Sequence, residues 1–259
     1  MIFAGVDVGS ISTKVALLDE TRLLGVRVSF TGYNASTAAK RVLEELLAQQ
    51  GIEAGNVASI VATGYGRGAV NFADKAITEI TCHAAGAHFL DPQGRFVIDI
   101  GGQDSKAIEL DATGRVKNFL MNDKCAAGTG RFLEVMARAL ELDLESFAEF
   151  SLRADNPATI SNICTVFAES EVISLIASGE KRENIIAGIH QAIATRVLAM
   201  SNRLARPSKV TMTGGVAKNA GLVKALSNKL GVPVKVSAYP QENGAIGAAV
   251  LARQLRAQQ

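Results

Sequence analysis

Tryptophan is absent, and tyrosine and cysteine occur only three times each. So few aromatics leave no basic stripe with stacking partners, and a net charge of +2 is too small for a nucleic-acid footprint. No apolar run approaches the roughly 18 residues of a membrane-spanning helix. The leading MIFAGVDVG has no basic segment and turns polar within a few residues, so no export signal is expected. The expectation is a cytoplasmic protein with neither nucleic-acid nor membrane partners. Cys82, Cys125 and Cys164 are too sparse and too odd in number for a disulfide scaffold. In a reducing compartment they serve as core residues, metal ligands or reactive thiols. Two nucleotide signatures are missing as well. There is no GxxxxGK[ST], and GYGRG at 64–68 lacks the spacing of a dinucleotide loop.

What is present is ordinary for a folded chain. The 259 residues are 48% hydrophobic and 20% charged, enough for one large domain or two small ones. IFAGVDV, KVALLD and LLGVRVSF read as a three-strand meander. STAAKRVLEELLAQQ has helical periodicity and a glycine stop, VASIVATG reads as a buried strand, and 79–90 as a helix. A second round then begins with RFVIDIGG, KAIELD and VKNFLMN. Helices follow at GRFLEVMARALEL, VFAESEVISLIASG and ENIIAGIHQAIATRVLAMSNRLA, with the stretch leading to Pro157 read as a connection. KVTMTGG, KNAGLVKALSNKLG, VPVKVS and NGAIGAAVLARQL continue as strand, helix, strand and helix. The chain is therefore expected to be α/β, with two similar halves at 1–92 and 93–259.

One octapeptide pattern occurs once in each half, as DVGSISTK from Asp7 and DIGGQDSK from Asp99. A glycine turn between strands converges several backbone N–H groups on one point, which suits phosphate oxygens. An aspartate just ahead of the glycine can hold Mg2+ through water. Ser10, Thr13 and Lys14 add donors. Either copy alone also reads as a plain hairpin; two in register favour phosphates shared in a cleft between the halves. MTGGVAKN, from Met212 to Asn219, links a strand to a helix and could admit a base or ribose, or serve only as a turn.

Cys125 in MNDKCAAGTGRFLE and Cys164 in ISNICTVFAESEV each read as standing just before a helix. A helix N-terminus carries about half a positive charge, which favours thiolate and any anionic cluster bound there. Lys124 would add to that field. Two thiols per chain make half of a four-thiolate cluster, and a twofold dimer would supply the rest. Buried core cysteines and a shared zinc are the alternatives. Cys82 and His83 read as core.

DVGSISTK, DIGGQDSK and TGGVAKN resemble the actin, Hsp70 and sugar kinase superfamily, whose two ribonuclease-H-like domains clamp ATP and Mg2+ between them. Together with ATGYGR, MNDKCAAGTGRFLEVMA, CTVFAESEVIS and ENIIAGIH, they resemble the 2-hydroxyacyl-CoA dehydratase activators, which include ATP-binding subunits of benzoyl-CoA reductase. That resemblance runs nearly end to end. It implies an ATPase that pumps a low-potential electron, taken from ferredoxin or flavodoxin, to a partner iron–sulfur dehydratase or reductase. It further implies a homodimer with one bridging [4Fe-4S] cluster, held by Cys125 and Cys164 of each chain. Asp7 and Asp99 would organise Mg2+. Ser10, Gln103 and Asp104 would face the γ-phosphate, with Gln103 or Asp104 orienting water. Gly9, Ser12, Thr13, Lys14, Gly101, Gly102, Gly128 and Gly130 are further nucleotide-binding candidates. Lys14 and Lys106 rank lower, as strand starters with a solvated charge. Gly214, Gly215 and Lys218 would lie at the adenosine, with Asn243 and Gly244 closing that side. The rival readings are a small-molecule kinase of the same superfamily with incidental cysteines, and a non-enzymatic redox sensor or assembly protein that uses ATP only to set its shape.

Overall fold

The computed structural model describes residues 1–161, 164–204 and 207–257. The chain forms two compact α/β units, each built on a five-stranded sheet. The first sheet contains β1 (Ile2–Val8), β2 (Ser12–Leu18), β3 (Leu23–Phe30), β4 (Val57–Thr63) and β5 (Lys75–Ala76), in the order β3-β2-β1-β4-β5. The second contains β6 (Phe96–Ile100), β7 (Ser105–Leu110), β8 (Val116–Asn122), β9 (Val210–Thr213) and β10 (Val234–Val236), in the order β10-β9-β6-β7-β8. The two orders match strand for strand. In each sheet the first strand pairs antiparallel with the second and parallel with the fourth. Even the turns after the second strand match. Asp19 gathers the N–H groups of Thr21 and Arg22, and Asp111 those of Thr113 and Arg115. These bonds stabilise the charged carboxylate, and hold Asp19 at about 2.

The helices are α1 (Ala35–Gln50), α2 (Glu79–Leu90), α3 (Gly130–Ala139), α4 (Leu144–Leu152), α5 (Thr165–Ala177), α6 (Arg182–Ser201), α7 (Ala220–Leu230) and α8 (Asn243–Ala257). Most lie where the periodicity puts them. α6 is shorter than expected, and the predicted end at Ala205 lies outside the described residues. α4 replaces part of an expected connection. Asp143 caps it through a 2.7 Å bond from Ser146 N–H, and Phe147 anchors it in the core.

Period-two alternation assigns the faces of the first sheet. Ala4, Val6 and Val8 pack with Val15 and Leu17 against Val42, Leu43 and Leu46 of α1. Ala16 and Leu18 meet Ala245, Ile246 and Ala249 of α8, while Phe3 and Val61 meet Cys82 of α2 and Ala248. Gly5 makes that second layer thin, since a Cβ there would collide with the α8 backbone at Ala245 and Ala249. α8 thus belongs to the first unit. This unit comprises Met1–Arg95, Leu110–Lys117 and the chain from Ser237 on, so the division is not a single cut between residues 92 and 93. The second unit, Phe96–Glu109 with Asn118–Val236, has one large core joining Ile98 and Ile100 of β6 to residues of α3 to α7.

Candidate functional site

Alternation also decides which side chains of the first octapeptide meet. Asp7 and Lys14 are cross-strand partners, on the opposite face from Val6 and Val15. Lys14 Nζ stands 3.3 Å from Asp7 Oδ2. Thr13 faces the other way and is fully buried. Its hydroxyl donates to Thr31 Oγ1 at 3.0 Å, because the Thr31 proton is donated to the Gly9 carbonyl at 2.9 Å. Thr13 therefore braces the turn from behind. The turn closes through Gly9 N–H to Ser12 O at 3.1 Å, with Ser10 exposed at its tip. Ser12 Oγ accepts a 3.4 Å bond from Gln241.

The second hairpin repeats this with more charge. Gly101 N–H donates to Asp104 O at 2.9 Å, matching Gly9 and Ser12. Asp99 and Lys106 are again cross-strand partners. Lys106 Nζ lies 3.2 Å from Asp99 Oδ2 and 2.8 Å from Asp104 Oδ2, with the lysine side chain only 2% exposed. The expected solvated lysine is thus a buried cation between two carboxylates, since strand pairing opposes it to Asp99 and its stem lies within the sheet. Asp99 is committed at both oxygens, for Oδ1 accepts the Thr213 hydroxyl at 2.8 Å. Gln103 is exposed at the tip, and Gly102 is partly exposed beside it.

A second repeated element carries no shared spelling. Asp7 is paired with Thr63 of β4, and Asp99 with Thr213 of β9. Each threonine precedes a glycine of positive φ, Gly64 at 85° and Gly214 at 88°. A Cβ on Gly64 would strike Asp7 Oδ1 and Val8 O, and one on Gly214 would strike the Ile100 backbone. ATGYGR and MTGGVAKN are therefore equivalent turns, each laid over its unit's hairpin. Arg67 stiffens the first by donating to Gly64 O at 2.9 Å. In the second, Gly215 is exposed with open space where a side chain would stand, and Lys218 is exposed nearby.

Asn243 and Gly244 open α8 in the first unit, at Asp7. A Cβ on Gly244 would come to 3.0 Å from both Asp7 Oδ2 and His83 Nε2. Asn243 is fully buried and donates to His83 O at 2.9 Å. His83, read from sequence as structural, is buried and stands near Asp7. Its signal lay only in the fold, which sets α2 against α8.

Gly130 and Gly128 belong to a brace in the second unit. Gly130 N–H donates to Gly101 O at 2.9 Å and Arg131 N–H to Gly102 O at 2.8 Å, so the start of α3 holds the DIGG turn directly. Gly128, at φ 82°, bends the chain just before it. That bend corrects the placement of Cys125. It stands in a loop ahead of the Ala126–Thr129 turn rather than at the helix start, packed on the core edge and pinned by Asn122 Nδ2 to its carbonyl at 2.8 Å. A helix field fades within the first turn, so that argument does not reach Cys125. Lys124 is 89% exposed and is paired to Asp123 at 3.5 Å. Cys164 does stand directly before α5, at its N-cap position, and is exposed. α3 and α5 pack together. Cys82 is core as expected, and burial pushes its thiol up to about 12.

Residues 4–252 match the BadF/BadG/BcrA/BcrD ATPase family. The chain belongs to that family. It is 49% identical over 253 residues to the activator of lactoyl-CoA dehydratase from Anaerotignum propionicum, covering 97% of each chain. It superposes on component A of the Acidaminococcus fermentans (R)-2-hydroxyglutaryl-CoA dehydratase with a TM-score of 0.95, at 44% identity and 99% coverage of both chains. It superposes on the activator of the 2-hydroxyisocaproyl-CoA dehydratase from Clostridium difficile, solved with bound ADPNP, with a TM-score of 0.92 at 42% identity, covering 100% of this chain and 98% of that one. Sugar kinases of the ROK family share the fold alone. The family resemblance and the actin-like ATPase fold expected from the motifs are thereby established, and the relatives favour the activator over the small-molecule kinase.

Proposed function

We propose that this chain is an ATP-dependent activator. It would pass a low-potential electron, received from a ferredoxin or flavodoxin, to a partner iron–sulfur enzyme such as a 2-hydroxyacyl-CoA dehydratase. The observation that carries this reading is the brace from Gly130 and Arg131 onto Gly101 and Gly102, which ties a phosphate-type turn to the helix that follows the Cys125 loop. A shift of that turn is delivered through backbone hydrogen bonds to α3.

The residues fit a nucleotide and Mg2+ in a divided way. Asp99 is engaged by Lys106 and Thr213, so its task is to position that lysine. Asp7 has Oδ2 beside Lys14 and is the better candidate to organise Mg2+ through water. Lys14 counters phosphate charge, while Ser10, Gln103 and Asp104 face the terminal phosphate. Gly214, Gly215 and Lys218 receive the adenosine.

The cysteines fit half of a [4Fe-4S] cluster. Cys82 is buried as a neutral thiol, which leaves Cys125 and Cys164. No group of three or more His, Cys, Asp or Glu able to hold a metal occurs among the described residues, so a four-thiolate site needs two chains. Beside Cys164, α5 exposes Val166, Phe167, Ile173 and Ile176, a surface suited to a second copy. When bound, the cluster supplies a one-electron carrier.

The test is anaerobic purification with iron and sulfide analysis of the wild type, Cys125→Ser and Cys164→Ser. About four iron and four sulfide per two chains, lost in either variant, is the expected result. An iron-free dimer after anaerobic reconstitution, still hydrolysing ATP, would remove the redox reading.

A further inference from the structure

In the first unit, α2 and α8 meet at backbone distance. A Cβ on Gly86 would collide with Asn243 O, and one on Gly247 with Cys82 O. Glycine at both positions lets His83 of α2 lie directly against the start of α8. His83 is 7% exposed. Asn243 Nδ2 donates to His83 O at 2.9 Å and lies 3.3 Å from His83 Nδ1. The amide cannot be turned round, because the His83 carbonyl only accepts and would then face Asn243 Oδ1. This orientation holds although it leaves Asn243 Oδ1 buried without a hydrogen bond. Nδ1 therefore accepts from the amide, and the ring proton resides on Nε2.

Nε2 stands on the Asp7 side of the ring. The point where a Gly244 side chain would begin lies 3.0 Å from His83 Nε2 and 3.0 Å from Asp7 Oδ2. The two atoms flank the space that this glycine leaves open. The two sheets differ at this place. Asp99 is oriented by the Thr213 hydroxyl at 2.8 Å, whereas the hydroxyl of the equivalent Thr63 is buried and makes no hydrogen bond. Asp7 thus lacks the threonine that orients Asp99, and His83 stands at its carboxylate instead.

We infer that His83 is a positioning residue for Asp7. Its Nε2–H, directed across the space beside Gly244, holds the carboxylate in the orientation that organises Mg2+. This rests on the reading that Asp7 organises Mg2+ at the nucleotide. Asparagine and glutamine separate the two ring nitrogens. Asparagine at position 83 offers an amide oxygen where Nδ1 stands and nothing at Nε2, while glutamine, one methylene longer, carries an amide N–H out to Nε2. ADP binding to the full-length protein is measured by calorimetry in EDTA and at rising Mg2+. His83→Asn should bind ADP as the wild type does in EDTA, yet need about tenfold more Mg2+ to reach full affinity, as when a partner behind a metal-organising group is lost. His83→Gln should recover most of that loss. Asp7→Asn should also raise the Mg2+ requirement, and adding His83→Asn to it should change nothing further. The inference is overturned if His83→Asn keeps the wild-type requirement while Asp7→Asn does not, if glutamine does no better than asparagine, or if the two losses add. It is also overturned if His83→Asn weakens ADP binding equally in EDTA, which would mark a loss of packing. A Mg2+ requirement that Asp7→Asn leaves unchanged would instead remove Asp7 from the Mg2+ site, and the inference with it.

Discussion

Lys106 shows at the level of one residue what burial does to a charge. Its ammonium is the counter-ion of both Asp99 and Asp104. Lys106→Met should destabilise the protein by about 3–5 kcal/mol, because two carboxylates lose their shared partner inside the fold. Lys14→Met should cost clearly less, since Lys14 is more exposed and serves Asp7 alone. Urea unfolding of both variants checks the order, and equal losses would contradict it. His190 is the opposite case, a group kept neutral by burial, with its value lowered from 6.5 to about 3. The unfolded chain therefore binds the extra proton first. This stabilising contribution is complete above pH 6.5 and is lost as pH falls from there toward 3, by at most about 1.4 kcal/mol per pH unit. His190→Gln should flatten the stability profile over that window. An unchanged slope would show the imidazole to be more open than its burial indicates.

At the scale of elements, the paired turns after β4 and β9 make separable predictions. Gly214→Ala would place a methyl on the Ile100 backbone at a φ that alanine resists, and should cost more than about 2 kcal/mol. Gly215→Ala meets nothing and should leave thermal unfolding within about 0.5 kcal/mol of wild type. If Gly215→Ala still weakens nucleotide binding, the turn is a ligand surface; if binding is untouched, its role is confined to Gly214 and packing. The brace between α3 and the DIGG turn belongs to the same scale. It depends on Gly130 approaching Gly101 O to within 3.2 Å of where a Cβ would be.

For the whole molecule, the exposed apolar face of α5 sets the expectation. Phe167 is 62% exposed, so Phe167→Glu should leave the fold of the chain intact. Sedimentation of the anaerobic protein should then show monomer, with iron content falling along with the dimer. A dimer that persists with full iron would place the shared site elsewhere. With metal removed and the chain reduced, Cys164 should react with a thiol reagent first and Cys125 more slowly. Cys82 should react only after unfolding.

Much of this was determined by sequence alone. The twofold DVGSISTK and DIGGQDSK, the meanders and the glycine stops are local signals, and local backbone preferences suffice to read them. The bounds read from the sequence for β3, β8 and α2 are those the structure shows. Four matters were left to tertiary structure. Alternation across paired strands decided that Lys14 meets Asp7 while Thr13 turns away to Thr31. Strand order decided that ATGYGR and MTGGVAKN are counterparts, although they share little beyond Thr-Gly. The thin contact at Gly5 decided that α8 packs on the first sheet and brings Gly244 to Asp7. The bend at Gly128 decided that Cys125 stands clear of the helix start. Each depends on neighbours remote in sequence, and packing energy between such neighbours leaves no trace in a local pattern.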